Sequence, residues 1–456
     1  MIINPLDNVW VNLDDGHKYA LRDIKAGENI IKYGNPIGHA TEDIPKDAHV
    51  HTHNVKTNLS GNLEYTYTPF VDNMQIKDEG RTFMGYLRAD GRVGIRNDIW
   101  IVNTVGCVNK VAERLSALTG AFAFSHPFGC SQLGDDQTVT QQILKGMVEH
   151  PNAGGVLVLG LGCENNNISV FKEVLGTYDP SRVKFLNCQD VEDEIEEGVR
   201  LINELKENAA KTQRTPQPVS KISIGLKCGG SDGYSGITAN PLVGRLSDLH
   251  ISKGGSAVLT EVPEMFGAEH LLMRRAASRE VFDRCVSLIN DFKDYYSSHN
   301  QVIYENPSPG NKKGGITTLE EKSLGCVQKG GAAAVTDVIS YGERVKLPGL
   351  TLLNGPGNDI VAVTNLMAAG AHIILFTTGR GTPLGSAVPT VKIATNSSLA
   401  SKKSSWIDFD AGRVLNGDDL TEELYEYIIA VCEGKQTENE KHGFREISIF
   451  KDGVTL

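Results

Sequence analysis

The chain has 456 residues, 48 of them glycine and 17 proline, and a formal net charge of −11. Glycine exceeds its usual share of about 7 % while proline falls below its own, which excludes a disordered Pro/Gly mixture and a collagen-like chain. The acidic balance argues against a nucleic-acid or anionic-membrane partner, no apolar run reaches the ~18 residues of a membrane span, and eight cysteines without a CxxC pair exclude a zinc ribbon or a disulfide-built scaffold.

The start, Met1 to Asp7, lacks the basic-then-apolar pattern of a secretory signal, so a cytoplasmic enzyme is expected. Residues 1–60 read as short strands separated by Gly, Asp and Pro turns: Val9–Leu13, His17–Leu21, Asn29–Tyr33, Pro36–His39 and His49–His51. That pattern predicts a small β module. A polar stretch over 61–81 predicts a linker. From 82 to 215, apolar runs such as Ile99–Val102, Ala121–Phe124, Val156–Leu159 and Val183–Leu186 each lead into a polar or glycine-bearing loop. Uninterrupted apolar strands alternating with helices require a parallel sheet covered on both faces. The same pattern resumes over 216–456, with Ile222–Gly225, Leu350–Leu353 and Ile373–Phe376. The expected fold is thus α/β: a small β module followed by two α/β domains with mainly parallel sheets, whose ligands bind beyond the carboxyl ends of the strands.

The loops at those ends carry the chemistry. His49, His51 and His53 alternate, so on a strand all three would share one face with His17 nearby; converging imidazoles suit Fe, Mn or Zn, although a solvated polar face would read the same. Cys107, Cys130, Cys163 and Cys228 follow strands, as buried small residues or as thiolate ligands; Cys130 with His126, and Cys163 with Glu164, allow mixed ligation. Cys285 and Cys432 fall in helical patterns. Gly160-Leu-Gly-Cys-Glu-Asn165 lacks the third glycine of a dinucleotide loop, and no Walker A sequence occurs, so no nucleotide cofactor is expected. Asn306 to Gly315, with two prolines and three glycines, predicts an irregular loop in which Asn311 and Lys312 could meet an anion or Lys312 act as a base. Arg380, in Thr377-Thr-Gly-Arg-Gly-Thr-Pro383, suits bidentate carboxylate recognition. Ser231, Asp232 and Thr238 suit a polyol.

Gly85-Tyr-Leu-Arg-Ala-Asp-Gly-Arg-Val-Gly-Ile-Arg-Asn97, the GLGCEN, CGGSDGYSGITANP, NPSPGNKKGGITTLE and FTTGRGTP segments, and Trp406–Gly412 resemble the altronate/galactarate dehydratase family essentially end to end. The N-terminal module is similar to that family's SAF (β-clip) domain. Val50–Asn54 and Cys326 after Leu324-Gly325 are similar to the branch acting on D-altronate. The resemblance implies dehydration of D-altronate to 2-keto-3-deoxy-D-gluconate in hexuronate catabolism, with Fe2+ or Mn2+. On that basis His17, His51 and His53 are expected to hold the metal, with His126, Cys130, Cys163 and Glu164 as the rival set. Arg380 and Lys312 would hold the carboxylate, with Ser231, Asp232 and Thr238 on hydroxyls and His126 as general acid/base. Alternatives are a lyase for galactarate or another α-hydroxy acid such as sulfolactate, a non-catalytic sugar-acid-binding protein, and a NAD-dependent oxidoreductase. A homodimer is expected from base rates alone.

Overall fold

Alternating buried positions close the N-terminal module as two small antiparallel sheets in the computed structural model, which describes residues 1–70 and 80–456. Residues 71–79, within the expected 61–81 linker, lie outside the described residues. One sheet pairs Val9–Val11, Lys18–Ala20 and His49–Val50; the other pairs Asn29–Lys32, Asn35–Ala40 and Val55–Lys56. Val9, Ala20, Ile30, Ile37 and Val50 fill the space between them.

The strand expected to carry the histidine run stops at Val50. Asn54 accounts for this: its side chain accepts from the His51 amide (2.9 Å) and donates to the His49 carbonyl (2.9 Å), turning residues 51–54. The strict alternation read from the sequence therefore does not place His51 and His53.

The described linker residues lie on the body of the protein. Tyr65 donates to Glu269 at 2.5 Å, Tyr67 packs on Phe282, and the Phe70 amide bonds the Arg274 carbonyl at 2.7 Å.

A four-stranded parallel sheet follows. Its strands are Asp98–Asn103 (β1), Phe122–Phe124 (β2), Ala153–Gly160 (β3) and Val183–Asn187 (β4), in the order β2-β1-β3-β4. The second sheet has seven parallel strands: Ser223–Cys228 (β5), Ser256–Leu259 (β6), Val335–Ile339 (β7), Gly349–Leu353 (β8), Ile373–Thr378 (β9), Thr390–Ala394 (β10) and Phe409–Asp410 (β11). They lie in the order β7-β8-β6-β5-β9-β10-β11. Every residue of β5, β8, β9 and β10 is buried, as apolar runs covered on both faces require. The two units meet where Asn152 donates to the His372 carbonyl (2.9 Å) and His150 bonds the Ala371 carbonyl (3.2 Å). Among the described residues no helix is long and apolar enough to cross a membrane.

The Asn306–Gly315 segment departs from the expected loop. Pro309–Lys313 forms a short helix capped by Ser308, whose side chain accepts from the Asn311 amide while Asn311 reaches back. Proline at the first helical position costs no hydrogen bond, so its presence favours this start.

Candidate active site

β5 begins the larger sheet, β6 lies on one side of it and β9 on the other, so the loops leaving β5 and β9 diverge. Such a switch point opens a crevice at the carboxyl ends of the strands. Asp232, from the β5 loop, occupies its floor. Its carboxylate accepts from Thr395 Oγ1 (3.0 Å), Asn396 Nδ2 (3.1 Å), Ser235 Oγ (3.1 Å) and the Tyr234 amide (3.1 Å). Burial pushes the Asp232 carboxyl above its ordinary range even against these donors. Gly379, after β9, lies against it so closely that a Cβ there would come within 2.2 Å of Asp232 Cγ. Ser231 Oγ is buried without a hydrogen-bond partner, and it lines a narrow cavity with Asp232, Asn240, Lys322 and Cys326.

The β module covers this crevice. The Gly16 carbonyl rests on Gly233 and Gly315, where a Cβ would come within 1.9 and 2.5 Å of its oxygen. Lys18 donates to the Gly315 carbonyl (3.0 Å) and pairs with Glu321 (2.8 Å), while Lys32 pairs with the other Glu321 oxygen (2.7 Å). Burial alone would raise Glu321; the two ammoniums overcome it and hold the carboxyl at about 2. The docking brings the histidines to the 311–317 segment. His17 Nδ1 lies 3.0 Å from His49 Nε2, and His51 Nδ1 lies 3.1 Å from Thr317 Oγ1. The His17, His49 and His51 rings sit 5.1–5.3 Å apart, and exposed His53 stacks on His49 at 5.6 Å. Partial burial and the Lys18 charge lower His51 to about 4, and burial lowers His49, so both imidazoles are neutral near pH 7.

Three family descriptions match the chain in succession: the altronate/galactarate dehydratase SAF domain over residues 9–58, the second domain of D-galactarate dehydratase/altronate hydrolase over 85–210, and the D-galactarate/altronate dehydratase C-terminal domain over 219–455. The chain is 54 % identical to altronate dehydratase of Escherichia coli, over 99 % of this chain and 95 % of the relative. It is 55 % identical to altronate dehydratase of Bacillus subtilis, over 97 % and 92 %. This chain belongs to the altronate/galactarate dehydratase family. A third member, galactarate dehydratase (L-threo-forming) of Escherichia coli, is more distant at 34 % identity over 93 % of this chain and 87 % of its own.

In this altronate/galactarate dehydratase-family chain, the residues expected in the site divide into three groups. His17, His51, Ser231 and Asp232 gather about the module junction, and half-buried Lys312 and exposed Arg380 flank it. Lys312 lies two residues before Gly314, whose carbonyl accepts from the Gly233 amide at 2.7 Å, and Arg380 follows Gly379. Among the described residues neither cation is tied up in an ion pair. Thr238 and Asn311 form the frame: Thr238 Oγ1 donates to the Thr395 carbonyl (2.7 Å), and Asn311 Nδ2 to the Ser231 carbonyl (2.8 Å). The third group lies on the other sheet. His126 is buried after β2, its Nε2 bonded to the Asn103 carbonyl (2.8 Å) and its Nδ1 accepting from the Phe128 amide (3.2 Å). Glu164 accepts from Thr104 Oγ1 (2.6 Å) and the Leu161 and Gly162 amides (3.0 and 2.6 Å), closing its own loop; Cys130 and Cys163 are exposed.

Glu261, Glu264, Lys322 and Lys329 were not legible as site residues. They surround Cys228 beneath the crevice, and Cys228, Glu264 and Cys326 bring one donor atom each within 4.8 Å of one another. Glu261 and Glu264 follow strand β6, and that position is the signal from which they could have been found.

Proposed function

We propose that this chain dehydrates D-altronate to 2-dehydro-3-deoxy-D-gluconate, taking the proton from C2 and losing the C3 hydroxyl as water. The junction between module and larger sheet carries the reading: neutral imidazoles border a segment bearing a free lysine, beside a hydroxyl-binding loop and a free arginine.

The C2 proton of a hydroxy acid is very weakly acidic, so its removal needs the carboxylate to accept charge as an enediolate. Arg380 pairs with that carboxylate, and a fixed cation stabilises the developing charge more than the starting one. Bound Fe2+ or Mn2+ would supply further Lewis-acid stabilisation of the same oxygens. His17, His51 and His53 would hold it; their chemistry fits, because converging imidazoles are donors that such ions favour. Lys312 is the group proposed to take the C2 proton, which leaves Arg380 as the permanent carboxylate anchor. Ser231 and Asp232 bind the sugar hydroxyls, while Thr238 and Asn311 hold the loops that present them. The β module excludes water from the cavity it covers, which strengthens each of these interactions.

Keto-acid formation with Fe2+-supplied protein tests the reading across altronate, galactarate and sulfolactate. Altronate is expected to give the highest kcat/KM, and Lys312→Ala and Arg380→Ala to lower it by roughly 100-fold or more, as loss of a general base or of one oxyanion-stabilising group does. Binding of altronate without keto acid would replace the enzyme by a sugar-acid-binding protein. Full metal content and turnover in a His51→Ala/His53→Ala protein would remove the metal from the imidazole face.

A further inference from the structure

We infer that Cys228, Cys326 and Glu264 form a second, thiol-based site for a thiophilic divalent cation, buried beneath the substrate crevice and distinct from the imidazole face. The site stands on its own geometry; only its place beside the substrate rests on the dehydration reading.

Three separate elements bring the donors together. Cys228 ends β5, Glu264 follows β6, and Cys326 ends the helix Leu319–Cys326. The two sulfurs lie 3.3 Å apart, and Glu264 Oε2 lies 3.3 Å from Cys228 Sγ and 3.1 Å from Cys326 Sγ. A tetrahedral ion with metal–sulfur bonds of about 2.3 Å and metal–oxygen bonds of about 2.0 Å needs donor separations of about 3.5–3.8 Å. A small outward movement of each donor meets that. All three residues are buried, at 2 %, 3 % and 4 % exposure, so bulk water does not compete for them.

Charge selects the kind of ion. Lys227 pairs with Glu261 and with Asp359 (2.9 Å), Lys329 with Glu261 (3.3 Å), and Lys322 with Glu264 (2.7 Å). Three ammoniums thus face three carboxylates, of which Glu261 and Glu264 are buried and Asp359 is partly exposed, and the two thiols add charge only when they ionise. A dication that binds as both thiols release their protons leaves the buried sum unchanged. A hard cation held by the carboxylate alone would add two positive charges to a dry pocket already holding three lysines. Thiolate donors also favour Fe2+, Co2+ and Zn2+ over Mg2+, Ca2+ and Mn2+. The cavity wall places the cluster beside the crevice. Cys326 lines the same cavity as Ser231, whose buried hydroxyl has no partner of its own.

Anaerobic titration of the full-length protein with Co2+, without substrate, tests the site. The wild type is expected to develop a sulfur-to-cobalt charge-transfer band, to release about two protons per ion, and to lose the band to Zn2+ but not to Mg2+ or Mn2+. Cys326→Ser and Cys228→Ser should each weaken Co2+ binding by more than the roughly 100-fold that loss of a ligand's supporting partner costs. His17→Ala/His51→Ala should keep the band. Absence of the band from the wild type, its persistence in both serine variants, displacement by Mn2+, or a Cys228–Cys326 disulfide in protein kept reduced would each overturn the inference. The wild-type arms do not depend on any variant folding. With no substrate present, failure of the altronate assay leaves this result standing, and the reverse holds.

Discussion

Cys107, Cys130 and Cys163 are exposed, and each follows a strand of the four-stranded sheet. Cys188 follows the fourth but is half-buried, and burial pushes its thiol up to about 11. Burial likewise pushes Cys285 and Cys432, on helices, up to about 12. Because the thiolate is the reacting species, native protein treated with a thiol reagent should show three fast thiols, located by mass spectrometry at 107, 130 and 163. Fast labelling of Cys285 or Cys432 would mean that their helices open on the labelling timescale. The positions of Cys107, Cys130 and Cys163 after apolar strands were legible, but their exposure was not: with Cys228 they read as buried small residues or thiolate ligands, and only Cys228 is buried. The buried cluster was not legible either. Cys228, Glu264 and Cys326 lie 36 and 62 positions apart in succession, and residue type carries no information about contacts made across three elements.

The docking of the β module is an element-scale property, and a polar one. Lys18 and Lys32 are fully buried, yet one carboxylate, Glu321, serves both. Glu321→Ala would leave two buried ammoniums unpaired, a loss of about 3–5 kcal/mol for each broken buried pair of this kind. The module should then detach while the larger sheets remain folded. Hydrogen exchange should rise in residues 9–58, and a thermal transition should split off below the main one. Replacing all three charges together with apolar residues of similar volume should restore docking; if Glu321→Ala alone leaves exchange unchanged, apolar contacts hold the module instead. The module's existence was legible from its turn-separated strands. Its orientation was not, since Lys18 and Lys32 read as solvent-facing in any strand, and the Asn54 turn that aims His51 toward Thr317 looks like a continued strand until its side chain is placed.

At the scale of the whole molecule, the join between the two parallel sheets is built on imidazoles that must stay neutral. His372 Nδ1 accepts from the Ser223 amide at 3.0 Å beside β5, and the His150 ring from the other unit lies 6.0 Å from it. His250 bonds the Ile222 carbonyl at 2.9 Å one strand end away. Burial lowers His250 and His372 to about 4 and holds His150 well below its ordinary value. In the unfolded chain each titrates near 6.5. Between those values the folded protein binds fewer protons than the unfolded one, so stability is complete above pH 6.5 and is lost as the pH falls toward 4. For a shift from 6.5 to about 4, the loss by pH 5 is about 2 kcal/mol for each histidine. Denaturant midpoints measured from pH 7.5 to 5 should therefore fall steeply, and His250→Asn, though less stable at pH 7.5, should show a shallower fall. The same slope in both proteins would exonerate His250. The position of these rings makes the consequence more than a general loss of stability. Protonation of His150 or His372 places charge at the contact between the sheets, so acid should separate the four-stranded unit from the seven-stranded one before it opens the core around β5 and β9.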